Sequence, residues 1–273
     1  MSRSKIDTGR WLRWLALAII FSVACGFLAN WQLNRREQVV KVIQRVERNY
    51  EHQRVRLAVM VPNPHYFKLS REYRRVWVSG SYLPSKTILV RNRPLDGAQG
   101  FEVITPMRLV TGKYILIDRG WVATGDSPSK PATVPKPSSK NLLAVGRLKS
   151  IEPLDSRSAP HGQILSLNAK AIAKQIGLDS AKLYTGAYLL LEQESIDAPV
   201  GKLTSKPTLD EGNHLSYAFQ WVIFAIMAFI AIGWGIRQDA IAKRAAIDPN
   251  FIVKKRKKVG DDDKAAEDAL LGE

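Results

Sequence analysis

Two stretches of this chain carry no charge at all. Residues 14–33 form a run of 20, and residues 215–236 a run of 22, without one Asp, Glu, Lys or Arg. A helix rises ~1.5 Å per residue, so ~20 apolar residues cross the ~30 Å of a bilayer's hydrocarbon. Both runs therefore read as transmembrane helices. Ten Leu, Ile, Val or Phe residues in the second favour its insertion by about 3–6 kcal/mol before any polar residue is set against them. Trp14, Trp31, Tyr217, Trp221 and Trp234 lie towards the ends, where amphipathic rings prefer the membrane interface. The other reading of the second run is a buried core helix, and its length and all-round apolarity speak against that.

The short flanks set the orientation. Residues 1–13 hold Arg3, Lys5, Arg10 and Arg13 against Asp7, and 237–258 hold eight Lys/Arg, five of them as KKRKK at 254–258. Basic flanks stay in the cytoplasm. The expected organisation is a cytoplasmic basic N-terminus (1–13), a membrane helix (14–33), an external domain (34–214), a second helix (215–236) and a cytoplasmic tail, basic then acidic (237–273). The N-terminus also admits a cleaved signal peptide, or a lipoprotein box in FSVAC with a lipid on Cys25. The apolar run continues eight residues past Cys25, which favours a retained helix. The absence of an Arg/Ser-rich presequence points to a bacterial inner (plasma) membrane, with the domain periplasmic. Cys25 is the single cysteine, so the domain must fold without a disulfide.

Residues 35–57 alternate charges with valines and isoleucine, an amphipathic helix leaving the membrane and ended by Pro62 and Pro64. Strand-like runs follow at 75–82, 87–92, 101–110, 113–122, 141–149 and 188–193. Thr111-Gly112 is a tight-hairpin signal, and Gly97 and Gly100 bracket a second turn. Four prolines mark 124–140 as an exposed loop. Residues 168–176 read as a short helix with Asn168 as N-cap and Gly177 as its stop. The fold class is α+β: two transmembrane helices flanking a mainly antiparallel, barrel-like β domain with one or two helices of its own.

No P-loop, GxGxxG, HExxH or GxSxG motif is present. His52, His65, His161 and His214 are far apart in sequence, and the external carboxylates are scattered. Nothing in the residues supports catalysis. The informative residues flank the membrane exits. One group is Trp31, Gln32, Arg35 and Arg36, the other Asn213, His214, Tyr217, Gln220 and Trp221. On a helix His214, Tyr217 and Trp221 fall on one face. Two readings stand. In one, a flat apolar ligand with an anionic or metal-bearing part stacks on the aromatics. Arg35 and Arg36 then hold its carboxylates, and His214 ligates iron through a neutral ring nitrogen. In the other, the same residues anchor the helices at headgroup level. Ser22/Gly26 and Ala231/Gly235 are small-xxx-small pairs suited to helix contact.

Four motifs in order resemble a known family. These are the first helix ending with Gly26, Trp31, Gln32 and Arg35; RNRPLDGAQGFEVITP at 91–106; IDRGWV at 117–122; and NHLSYAFQW at 213–221. The chain resembles the Surfeit locus protein 1 family of cytochrome c oxidase assembly factors, with Asp118 where the family usually has Asn. The resemblance implies a non-enzymatic factor acting on the largest oxidase subunit of a haem–copper oxidase. It also implies the haem a synthesis machinery and membrane lipids as further partners. Haem a itself is implied as a transient cofactor, with His214 a haem iron ligand; the residue types themselves, not the resemblance, set Trp31, Arg35, Tyr217 and Trp221 beside it. Within the family motifs, Trp121 is expected to be buried and Arg119 to pair.

The alternative class is a two-helix membrane sensor or scaffold with an external ligand-binding domain. That class needs a cytoplasmic output domain, and only 37 residues follow position 236. The formal charge of +16 suggests nucleic acid at first. Most of it lies in residues 34–214, with 28 Lys/Arg against 16 Asp/Glu and no basic block. That distribution suits an anionic membrane face, haem propionates or an acidic partner, and not nucleic acid.

Overall fold

The computed structural model describes residues 7–248, and the KKRKK run lies outside them. The chain divides into two compact units. One holds the described residues up to Glu37 and from Gly212 onward, the other is Gln38–Glu211. Helices α1 (Thr8–Tyr50) and α4 (His214–Ile247) contain the two apolar runs.

The second unit is a mixed β domain. Strands β2 (Arg75–Tyr82), β6 (Asn141–Ser150), β8 (Ala187–Glu194), β5 (Tyr114–Ala123) and β4 (Ala98–Leu109) pair in that order. β4 then pairs back onto β2 through Gly80↔Leu109 to Tyr82↔Met107, so the five strands close into a ring. β1 (Val55–Arg56) extends β2, β3 (Ile88–Leu95) extends β4, and β7 (Gln163–Ile164) extends β3. The long pairings are antiparallel; β1–β2, β3–β7 and β5–β8 are parallel over two residue pairs each. β4 serves β2 with Met107–Leu109 and β3 with Ala98–Ile104. The register shifts in its pairings put an extra residue on β3 at Asn92 and one on β5 between Asp118 and Trp121.

Alternation along the strands sorts the core. Val76, Val78 and Tyr82 of β2 point inward with Met107, Ile115, Ile117, Leu148 and Leu189. Leu116 and Ile104 point the other way, against Ile172 and Ala173 of α3 (Ala169–Ile176). β5 is thus covered on both faces, and its sequence is a continuous apolar run rather than an alternating one. α3 is capped as its sequence indicates: the Asn168 side chain accepts from the Ala171 N–H, and Gly177 closes the helix at φ 63°.

Three expectations are corrected. The helix leaving the membrane stops at Tyr50, not at residue 57. Val55 and Arg56 pair instead with Val76 and Trp77 of β2, and only a single turn, α2 (Leu57–Met60), follows. The last turns of α1 are held by the domain: Arg45 pairs with Glu72 at 3.0 Å, and Asn49 donates to the carbonyls of Ser70 and Glu72. The turn between β3 and β4 is the two-residue Asp96-Gly97, at φ 51° and 81°. Gly100 lies beyond it, inside β4, against the Trp121 ring.

The third correction concerns IDRGWV. Arg119 is the fully buried residue of the pair, while Trp121 is half-buried and donates from Nε1 to the Arg93 carbonyl at 2.7 Å. Arg119 donates to Glu194 (3.2 Å), to the Pro135 carbonyl (3.2 Å) and to the Pro199 carbonyl (2.9 Å), and lies over the Tyr82 ring. The Tyr82 hydroxyl donates to the same Glu194 carboxylate. Burial, and then the Glu194 charge, push the Tyr82 phenol up, so it stays a donor. Gly120, at φ 99°, lets residues 199–202 run against β5, where a Cβ would meet Gly201 at 2.7 Å. Trp121 and Lys202 exchange both backbone hydrogen bonds there.

Asp118, next in the motif, is 2% exposed; its Oδ1 accepts from the Gly120 N–H at 2.9 Å. Burial, with Glu102 adding to it, pushes its carboxyl up to about 8. A raised folded-state value means that the folded form holds the proton more tightly than the unfolded one. That stabilisation is complete below the ordinary value of 3.8 and is lost as pH rises through about 8. Asp118→Asn keeps the acceptor and cannot ionise. Its thermal stability relative to the parent should therefore rise steadily between pH 4 and pH 8 and then level off, as followed by circular dichroism. A pH-independent difference would contradict a buried neutral Asp118.

Candidate functional site

The first unit shows how the two apolar helices recognise each other. Among residues 8–37 only 11, 18, 22, 25, 29, 32 and 36 are other than exposed. Between residues 18 and 36 their spacing alternates four and three. On α4 the same rhythm picks out His214, Ala218, Trp221, Ala225, Ala228, Ile232, Gly235 and Asp239, all buried or half-buried. This is the seam of an antiparallel helix pair. Small residues fill its middle: Ala18, Cys25, Ala29 and Ala218 are each under a tenth exposed. Lipid tails are as apolar as the side chains, so such pairs rely on close packing rather than on a hydrophobic drive. Gly235 meets the Trp11 ring, where an added Cβ would come within 2.5 Å. Gly26 has open space around it and lies off the seam.

A polar contact closes each end of the seam. At one end Trp11 donates from its indole nitrogen to Asp239 at 3.2 Å, and Arg10 pairs with the same carboxylate at 2.9 Å. At the other end Gln32 Oε1 lies 2.9 Å from Nδ1 of His214. With the amide oxygen turned to the ring its complement is an Nδ1–H donor; a flipped amide would donate to a bare Nδ1 instead. Along α1 the two contacts are 21 residues apart, or ~32 Å, close to the thickness of bilayer hydrocarbon.

The structure thus joins Gln32 and His214, which the sequence places 182 positions apart. Trp221 is half-buried towards the seam and packs edge-on against Phe224, with ring centroids 5.8 Å apart. Tyr217 and Trp31 face outward, 50% and 59% exposed, and Arg35 is also exposed. Asn213 sits at the N-cap of α4 and Gln220 is exposed. The result is a half-buried imidazole with one nitrogen engaged, on a unit that presents aromatic surfaces and a guanidinium outward. Such a set can hold a flat, partly anionic molecule and offer a metal one nitrogen. Among the described residues no cluster of three or more His, Cys, Asp or Glu side chains forms a closed metal site. The seam residues Trp11, Ala18, Cys25, Ala29 and Asp239 escape a reading of the sequence. Their period is hidden inside uniformly apolar runs and shows only once the polar residues at the two ends are aligned.

Comparison with known proteins decides the family. The SURF1 family model matches residues 19–226, from the first apolar helix into the second. The chain belongs to the SURF1 family. SURF1-like proteins of Mycobacterium bovis and Mycobacterium tuberculosis are 31% identical over 241 residues, covering 85% of this chain and 86% of theirs. A Saccharomyces cerevisiae protein named cytochrome oxidase assembly protein SHY1 is 29% identical over 114 residues, 40% of this chain and 28% of its own. With two helices long and apolar enough to span, this SURF1 chain is a membrane-anchored protein.

The seam yields a direct test. Ala218→Leu forces extra volume into it, at a cost of about 1–3 kcal/mol. The rate at which a small maleimide modifies Cys25 in detergent-purified protein should rise roughly tenfold or more. An unchanged rate would show that Cys25 is not protected by the helix pair.

Proposed function

We propose that this protein is a non-enzymatic assembly factor for a haem–copper cytochrome c oxidase, holding haem a at the outer membrane interface for the largest oxidase subunit. The observations that carry the assembly role are membership of the SURF1 family and similarity to a yeast protein named for cytochrome oxidase assembly. The donor set fits haem as cargo. His214 has Nδ1 engaged by Gln32, which leaves Nε2 as the ring nitrogen for iron. Trp31 and Tyr217 offer exposed rings for stacking on the macrocycle, and Arg35 offers a guanidinium for a propionate. Trp221 lies seven residues further along α4 on the same seam. Haem a, when held, supplies the redox centre that the oxidase requires, and the chain binds and orients it without transforming it.

In this reading the protein sits in a bacterial inner membrane with both termini cytoplasmic and the β domain periplasmic. The basic flanks of the two helices support that topology. The net positive domain supports contact with an anionic membrane face, an acidic partner surface and the propionates. The haem a synthesis machinery is the upstream partner and the largest oxidase subunit the downstream one.

His214→Ala should lose most of the haem a that co-purifies from cells making it, and lower oxidase activity, while the far-ultraviolet circular dichroism stays that of the parent. Unchanged haem content would remove His214 as the ligand. Unchanged oxidase activity in a strain lacking the protein altogether would remove the assembly role.

A further inference from the structure

The contact at the His214 end of the seam carries more than helix registration. Gln32 stands on α1 and His214 on α4, and their side chains meet at 2.9 Å through Gln32 Oε1 and His214 Nδ1. Both are only partly buried. Neutral imidazole has one N–H and one lone pair, and whichever nitrogen donates a hydrogen bond leaves the other as the base. A partner held on Nδ1 by a separate helix fixes the ring's rotation, and with its amide oxygen turned inward it favours the Nδ1–H tautomer. Metal-binding histidines use this arrangement, with the second ring nitrogen donating to a carbonyl or carboxylate that orients the ring and raises its basicity.

We infer that Gln32 is a positioning residue that holds the His214 ring by Nδ1 and so directs Nε2 as the ligand atom for a metalloporphyrin iron. The inference rests on the proposed haem-binding role for its consequence, and on the Gln32–His214 geometry alone for its cause. Gly212 lies beside the same ring edge: an added Cβ would stand 3.6 Å from both Nε2 and Cδ2, in ordinary van der Waals contact. Gly212 is also at φ 68°, which independently disfavours a side chain. Gln32 touches no ligand itself in this scheme. It acts through His214, so its removal should alter the state of the imidazole before any porphyrin is added.

The test has two parts, on full-length protein in detergent micelles. The first is free of ligand. With 15N-labelled histidine, the parent should show His214 with Nδ1 protonated and Nε2 bare. Gln32→Leu should shift the population towards the Nε2–H tautomer that is preferred in water. Observation of the Nε2–H tautomer in the parent, or of no change in Gln32→Leu, would overturn the inference. The second part titrates iron protoporphyrin IX and follows the Soret band. Gln32→Leu should weaken binding at least about tenfold, the scale seen when such outer partners are lost. Gln32→Glu should retain binding, place a stronger acceptor on Nδ1 and lower the iron midpoint potential. A purely structural contact would move neither the tautomer nor the potential. If His214→Ala leaves the titration unchanged, the haem-binding reading fails, and the labelled-histidine spectrum still decides the role of Gln32. If His214→Ala abolishes binding while Gln32→Leu matches the parent in both measurements, the haem-binding reading stands and the role of Gln32 falls.

Discussion

A charge removed from water has to be matched where it stands, and the β domain is arranged around one such charge. Arg119 has no exposed surface. Its guanidinium reaches Glu194 on β8, lies on the Tyr82 ring of β2, and takes carbonyls from Pro135 and Pro199 in two irregular segments. Three parts of the chain distant in sequence, at Tyr82, Pro135 and Glu194 with Pro199, therefore meet at one planar group. Removing either partner of a buried pair typically costs about 3–5 kcal/mol, because the survivor stays uncompensated. The proline-rich loop and the segment that leads towards α4 have little core of their own. Their backbone oxygens on Arg119 hold them to the barrel.

Much of this was readable from sequence, and the failures have physical reasons. The strands announced themselves by β-branched and aromatic runs, and β2 was legible to the residue because it alternates between core and surface. The helix leaving the membrane was extended too far because the charge pattern of residues 51–57 suits a helix. Pairing of Val55 and Arg56 with β2 outweighs that local preference. The inversion of Arg119 and Trp121 came from assuming that hydrophobicity decides burial. In a closed ring of strands a guanidinium with partners on several sides fits the interior. An indole can stay half-exposed when its N–H finds a carbonyl. Closure itself was not legible, since no local signal says that the far end of β4 returns to β2.

At the membrane exits the sequence named the residues and the structure supplied their relations. His214 was singled out by residue type. Gln32 was named in the other group but not as its partner, because the two stand 182 positions apart and no local signal pairs them. Trp31 and Arg35, chosen from the same string, face outward instead. The distinction follows from helix phase: Gln32 falls on the seam, and its neighbours do not.

The two polar contacts that close the seam also fix a length. Between them, apart from Arg13 and Arg237 near the Asp239 end, the paired helices are uncharged and packed through small residues. A bilayer thinner than this span would have to tilt the pair or thicken around it, at a cost of fractions of a kcal/mol for each ångström of mismatch. The separation of the two contacts therefore defines the hydrocarbon thickness that the pair matches without tilting.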